Sequence, residues 1–122
     1  MQIRNIHETK KEKIIAHDGV GQIDFARIFG SGEVPLPTDS SIHFIDIAIL
    51  PPDTSVGLHT HTSSTEVYLI LDGDGIYHAD DESINVRSGD VLINHKGRHS
   101  LVNKSNRNLK VFVIEAGIKK KN

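Results

Sequence analysis

The sequence predicts an all-β sandwich or barrel folded as a single domain. Three observations carry that expectation. Short β-branched runs recur at regular spacing, turn chemistry separates them, and hardly any 3.6-residue periodicity is present. The length of 122 residues suits one domain and leaves little room for a second.

The elements follow in order. The stretch 6–15 is expected to be a short helix or an extended arm, within an N-terminal segment covering 1–18. A first strand is expected at 22–29. Gly30-Ser31-Gly32 and the Pro35 to Asp39 stretch then form a loop. The run 42–50 is the longest apolar strand, stopped by Pro51-Pro52-Asp53. A strand at 55–61 meets Thr62-Ser63-Ser64-Thr65, which is small and polar as a hairpin turn would be, and 66–71 returns from it. Asp72-Gly73-Asp74-Gly75 is a hairpin signal before 75–79, and Asp80-Asp81-Glu82 is another before 83–86. Ser88-Gly89-Asp90 turns into 90–94. The last strands are 99–103 and 109–115, joined by a polar loop at 103–108. The barrel is thus expected over 19–117, with a polar tail at 118–122.

Composition narrows the function classes. Lys plus Arg number 14 against 16 Asp plus Glu, a formal charge of −2, so the dense positive stripe of a nucleic-acid reader is not expected. Lys10, Lys11 and Lys13, and the tail Lys119, Lys120 and Lys121, read as solvated termini. No signal-peptide h-region is seen. The stretch 42–52 is too short for a membrane span and carries His43 and Asp46. With no cysteine, disulfides and thiolate sites are excluded. A soluble, cytoplasmic protein is the expectation. Eight histidines are the anomaly, and they invite a search for a metal site.

On a strand, His59 and His61 point to one face. Glu66, Tyr68 and Ile70 share a face of the next run, and an antiparallel return would bring Glu66 beside the two imidazoles. His99 opens a later strand. Three imidazoles and a carboxylate suit one divalent transition ion, Mn, Fe, Co, Ni or Zn. They leave positions open for water or substrate, the catalytic pattern rather than the closed structural one. Calcium or magnesium would call for more oxygen ligands.

These residues resemble the cupin superfamily. Its first motif runs G-x5-H-x-H-x3-4-E-x6-G. His59, His61, Glu66 and Gly73 match that spacing, with Asp53 in place of the opening glycine. The second motif, G-x5-P-x-G-x2-H-x3-N, is similar to Gly89, Gly97, His99 and Asn103. Here His95 stands in place of the proline, and one residue rather than two separates Gly97 from His99. His95 is therefore a competing ligand or a partner to one. The resemblance implies a double-stranded β-helix or jelly-roll barrel. It also implies small-molecule substrates, often carboxylates, enols or sugars, and chemistries from decarboxylation and dioxygenation to isomerisation and cyclisation.

Around the four ligands, Tyr68, His43 and His78 are the candidates to position substrate or move a proton. Each has a plainer reading: packing for Tyr68, a hydrogen-bonded core histidine for His43, and surface exposure for His78. Arg27 is a candidate anchor for a substrate carboxylate, with an edge-strand surface charge as the ordinary account. His7 and His17 precede the barrel and receive no role. Two functions compete: a metal-dependent enzyme acting on a small chelating metabolite such as an organic acid, and a non-catalytic binding module acting as sensor or accessory. Exposed sheet edges lead us to expect a two-fold homodimer.

Overall fold

The structure is a computed structural model and describes residues 1–119, so Lys120, Lys121 and Asn122 of the expected tail lie outside the described residues. Among the described residues ten strands are formed: β1 (Glu12–Ile14), β2 (Ile23–Phe29), β3 (Ile42–Leu50), β4 (Thr54–Thr60), β5 (Ser64–Asp72), β6 (Asp74–Ala79), β7 (Glu82–Arg87), β8 (Val91–His95), β9 (Arg98–Asn103) and β10 (Leu109–Gly117). They make two antiparallel sheets, a six-stranded one in the order β1-β2-β3-β10-β5-β8 and a four-stranded one in the order β4-β9-β6-β7. The all-β jelly roll expected from the sequence is what forms. Among the described residues no helix is long and apolar enough to cross a membrane.

Two of the expected hairpins are not hairpins. β4 belongs to the four-stranded sheet and β5 to the six-stranded one, so the Thr62–Ser63 connection crosses between sheets. The Asp72-Gly73 turn likewise carries the chain from β5 to β6 in the opposite sheet. An Asp-Gly pair signals a backbone that must adopt positive φ, and Gly73 does so at 90°. That signal is indifferent to whether the next strand pairs with the last one. Gly73 is also squeezed: a Cβ there would sit 2.4 Å from the Asn108 carbonyl oxygen. The Asp80-Asp81 turn is a true hairpin, joining β6 to β7.

The stretch expected as helix or arm is extended at β1, where Ile14 pairs with Ile23 on β2. Its continuation runs along β4. The Gly57 N–H donates to the Ala16 carbonyl (3.0 Å), the Ser55 N–H to the Val20 carbonyl (2.9 Å), and the Val20 N–H to Ser55 Oγ (2.8 Å).

Period-2 alternation sends one residue in two between the sheets. The interior set includes Ile23, Leu50, Ile70, Leu101, Leu109 and Val111, each at most 1 % exposed. The same register leaves an asymmetry along the strands. At one end of the barrel the inward residues are apolar. Toward the other they become Arg27, Asp46, Glu66, His99 and Glu115, a polar mouth on an apolar floor.

Candidate metal centre

Four side chains from three strands and one connection converge at the polar mouth. His59 on β4 and His99 on β9 are directly opposite in the pairing register. His61 follows the end of β4, held by its N–H donating to the Gly97 carbonyl (3.0 Å). Glu66 arrives from β5 in the facing sheet. One ligand atom of each lies within 4.8 Å of all the others. Glu66 Oε1 is 3.0 Å from His99 Nε2, 3.4 Å from His61 Nε2 and 3.9 Å from His59 Nε2. His59 Nε2 and His99 Nε2 are 3.0 Å apart.

The far ring nitrogens are all engaged. His59 Nδ1 donates to the Gly57 carbonyl (2.7 Å). His61 Nδ1 bonds Ser64 Oγ (3.1 Å), whose hydroxyl donates to Glu115 Oε1 (3.1 Å), and that carboxylate oxygen lies 2.9 Å from Nδ1. His99 Nδ1 bonds the Tyr77 hydroxyl (3.0 Å). A carbonyl can only accept, and the Ser64 hydroxyl spends its one proton on Glu115, so at His59 and His61 the proton sits on Nδ1 and the Nε2 lone pair points to the centre. Such outer contacts orient imidazole ligands and raise their basicity.

Two features fit these residues to a cation. His61 Nε2 and Glu66 Oε1 are buried with no hydrogen-bond partner of acceptable geometry, a costly state unless something else binds them. In addition, Glu66 and Glu115 face each other across β5 and β10 with 5 % and 13 % of their side chains exposed. Two like charges in that relation repel and need positive charge nearby. Burial alone would raise Glu66, yet the His59, His99 and His61 rings around it hold its carboxyl well below the usual carboxylate range. Burial lowers His99. At His59 burial is outweighed by Glu66 and the Gly57 carbonyl, which raise it.

The other sequence candidates divide. Tyr68 is 4 % exposed, lines the cavity and tilts against His99 at 5.1 Å between centroids. Burial, then the Glu66 charge, pushes its phenol far up, so it stays protonated. His43 is half-exposed and meets the site only through Glu115, Nδ1 to Oε2 at 3.1 Å. His78 lies on the opposite face of β6 from inward Tyr77 and bonds Ser83 Oγ (2.5 Å). His95 is exposed and bonds Thr65 Oγ1 (2.6 Å), outside the four-residue group. The Arg27 fork is spent on Asp46, at 3.0 and 3.3 Å.

Three residues had no role in the sequence reading. Tyr77 and Glu115 hold ligand rings, and their inward register on β6 and β10 is the signal that could have found them. His17 stacks on His59 at 3.6 Å with planes 9° apart. No local pattern marks His17, because its position depends on the arm running along β4.

The cavity beside the centre has a volume of about 530 Å³. His61, Glu66, Glu115, His17, Arg27 and Asp46 mark its polar side. Phe25, Phe44, Ile23, Val56, Val111 and Val113 supply most of the rest.

Comparison with known proteins agrees with this geometry. The cupin domain family matches residues 46–115. The oxalate-binding protein of Thermotoga maritima is 38% identical over 66 residues, 53% of this chain and 54% of that protein. An uncharacterised Methanocaldococcus jannaschii protein is also 38% identical over 66 residues, 53% of each chain. The chain thus spans about half the length of the curated relatives it matches. Among solved structures, a predicted oxalate decarboxylase from Thermotoga maritima superposes with a TM-score of 0.84 at 26% identity, covering 96% of this chain and 100% of that one. A conserved barrel domain protein from Salinispora arenicola gives a TM-score of 0.70 at 18% identity, covering 95% and 88%, and speaks to the fold alone.

Proposed function

The chain belongs to the cupin domain family, and from that premise we propose that it is a metal-dependent enzyme acting on a small chelating organic acid. The observation that carries the proposal is the pair of buried, unpartnered ligand atoms, His61 Nε2 and Glu66 Oε1, beside a cavity. The organic-acid class is supported by the relatives named for oxalate.

In this reading His59, His61, His99 and Glu66 hold one divalent ion of the Mn, Fe, Co, Ni or Zn group. Bound there, such an ion supplies Lewis-acid polarisation of a carbonyl or carboxylate and a lowered pKa for coordinated water. The chain does the rest. Gly57, Glu115 and Tyr77 fix the ligand rings, and the apolar walls exclude water. Tyr68, buried and protonated, donates a hydrogen bond to the bound acid or its product.

A second reading keeps the pocket and drops the turnover: a metal-loaded binding protein. It is favoured by the relative named for binding oxalate rather than for converting it. Chelator-stripped protein, restored with each metal in turn and assayed on a panel of dicarboxylic, 2-oxo and 2-hydroxy acids, separates the two. The enzyme reading predicts turnover that vanishes on stripping, returns with one metal and is lost in Glu66→Gln. Metal uptake without turnover anywhere in the panel leaves the binding reading.

A further inference from the structure

The cavity is much larger than a two-carbon diacid needs, and its charges are already matched. About 530 Å³ lies within the range of pockets that enclose ligands with a substantial apolar body, typically about 300–1,000 Å³. The walls away from the metal ligands are apolar, with Phe25 and Phe44 among them. Three carboxylates line the space, Asp46, Glu66 and Glu115, against one guanidinium, Arg27. A divalent ion on the four ligands therefore brings the lining to formal neutrality. Arg27 brings no unbalanced charge for a second anion, because Asp46 already neutralises it. Its Nε and one terminal nitrogen are bound to Asp46, and its plane lies 4.3 Å from the Phe44 ring centroid.

A ligand entering this space gains from one negative group placed on the metal. A second carboxylate would meet hydrocarbon, the oxygens of Asp46 or a guanidinium that Asp46 already neutralises, and burying a charge without a counter-charge of its own costs more than a side chain of that size recovers. Four protein ligands leave two positions of a six-coordinate ion, which favours an oxygen adjacent to the carboxylate as the second donor. We propose that the cavity takes a monocarboxylic acid with a 2-oxo or 2-hydroxy group and a branched-alkyl or aryl side chain. The metal centre receives the head, and Phe25, Phe44, Ile23, Val56, Val111 and Val113 receive the body. This rests on the metal-bound reading above and narrows its substrate class.

The test is calorimetric titration of Co(II)-loaded protein with acids sharing one head: pyruvate, 2-oxopentanoate, 4-methyl-2-oxopentanoate and phenylpyruvate. 2-Oxoglutarate serves as the dianion matched in length to 2-oxopentanoate. Affinity is expected to rise along the series, by about fourfold for each methylene buried. 2-Oxoglutarate is expected to bind at least tenfold more weakly than 2-oxopentanoate. Val113→Phe, which narrows the cavity beside Asp46 and Tyr68, should pull phenylpyruvate down toward pyruvate while Co(II) binding holds. If Val113→Phe does not fold, the wild-type series still decides. A flat or falling series with Co(II) bound overturns the inference and spares the metal reading, as does 2-oxoglutarate binding as tightly as 2-oxopentanoate. Failure to take up Co(II) at all overturns both.

Discussion

Glu115 shows how a single residue decides what the centre can do. Its Oε1 accepts from Ser64 Oγ (3.1 Å), which bonds His61 Nδ1 (3.1 Å), and its Oε2 meets His43. Without Glu115 to take its proton, the Ser64 hydroxyl can donate to His61 Nδ1 and leave the imidazole proton on Nε2, where it blocks coordination. Glu115→Ala is predicted to weaken divalent metal binding by roughly 10–100-fold, with Glu115→Gln weaker in effect because its amide oxygen still accepts. Calorimetric titration with Co(II) measures this, and unchanged affinity in the alanine variant would remove Glu115 from the site. The convergence of His59, His61, Glu66 and His99 was legible in the sequence because H-x-H on a strand must share a face and Glu66 and His99 stand near strand openings. Tyr77 was not. Alternation sets Gly75, Tyr77 and Ala79 against Asp74, Ile76 and His78, but the apolar contrast between such short faces is small, and pairing with β9 is what turns Tyr77 inward.

Among the elements, the strands were legible and their partners were not. The expected runs from 22–29 to 109–115 agree with β2 through β10 to within two residues at most ends. β1 escaped because three residues, Glu12–Ile14, are too few to show alternation and gain their ladder only from β2. Pairing is a tertiary property, and Asp-Gly at 72–73 marks a corner as readily as a hairpin. The arm after β1 matters to the site because it carries His17 onto His59. Its track depends on Gly57, where a Cβ would lie 2.0 Å from the His17 carbonyl oxygen. Backbone cannot yield there as a flexible side chain could. Gly57→Ala is predicted to lift the arm from β4 at a cost on the order of 1–3 kcal/mol. Limited proteolysis should then cut within residues 15–20 well before the wild type is cut. Equal cleavage rates and equal unfolding midpoints would contradict this.

At the scale of the whole molecule, the barrel is stabilised by an apolar interior and carries buried charge at one mouth. That charge leaves a mark on stability against pH. Burial pushes the Asp46 carboxyl up from 3.8 to about 6, with the Arg27 guanidinium opposing the shift. A proton held more tightly in the folded than the unfolded chain favours folding below 3.8. That contribution is lost as pH rises through about 6. Glu66 has the opposite sign, since its lowered value favours folding above the ordinary carboxylate range. The Asp46 part is isolated by difference. Between 3.8 and about 6, Asp46→Asn is predicted to gain stability relative to wild type as pH rises, read from urea midpoints. A wild-type minus variant difference independent of pH would contradict it.

The account turns on whether the three imidazoles and Glu66 bind one ion together. Crystals grown with Co(II), measured for anomalous scattering at the cobalt edge, test this most directly. The account predicts a single strong peak per chain, enclosed by Nε2 of His59, His61 and His99 and the Glu66 carboxylate. No peak there, or one elsewhere on the chain with the rings still bonded to one another, would contradict it.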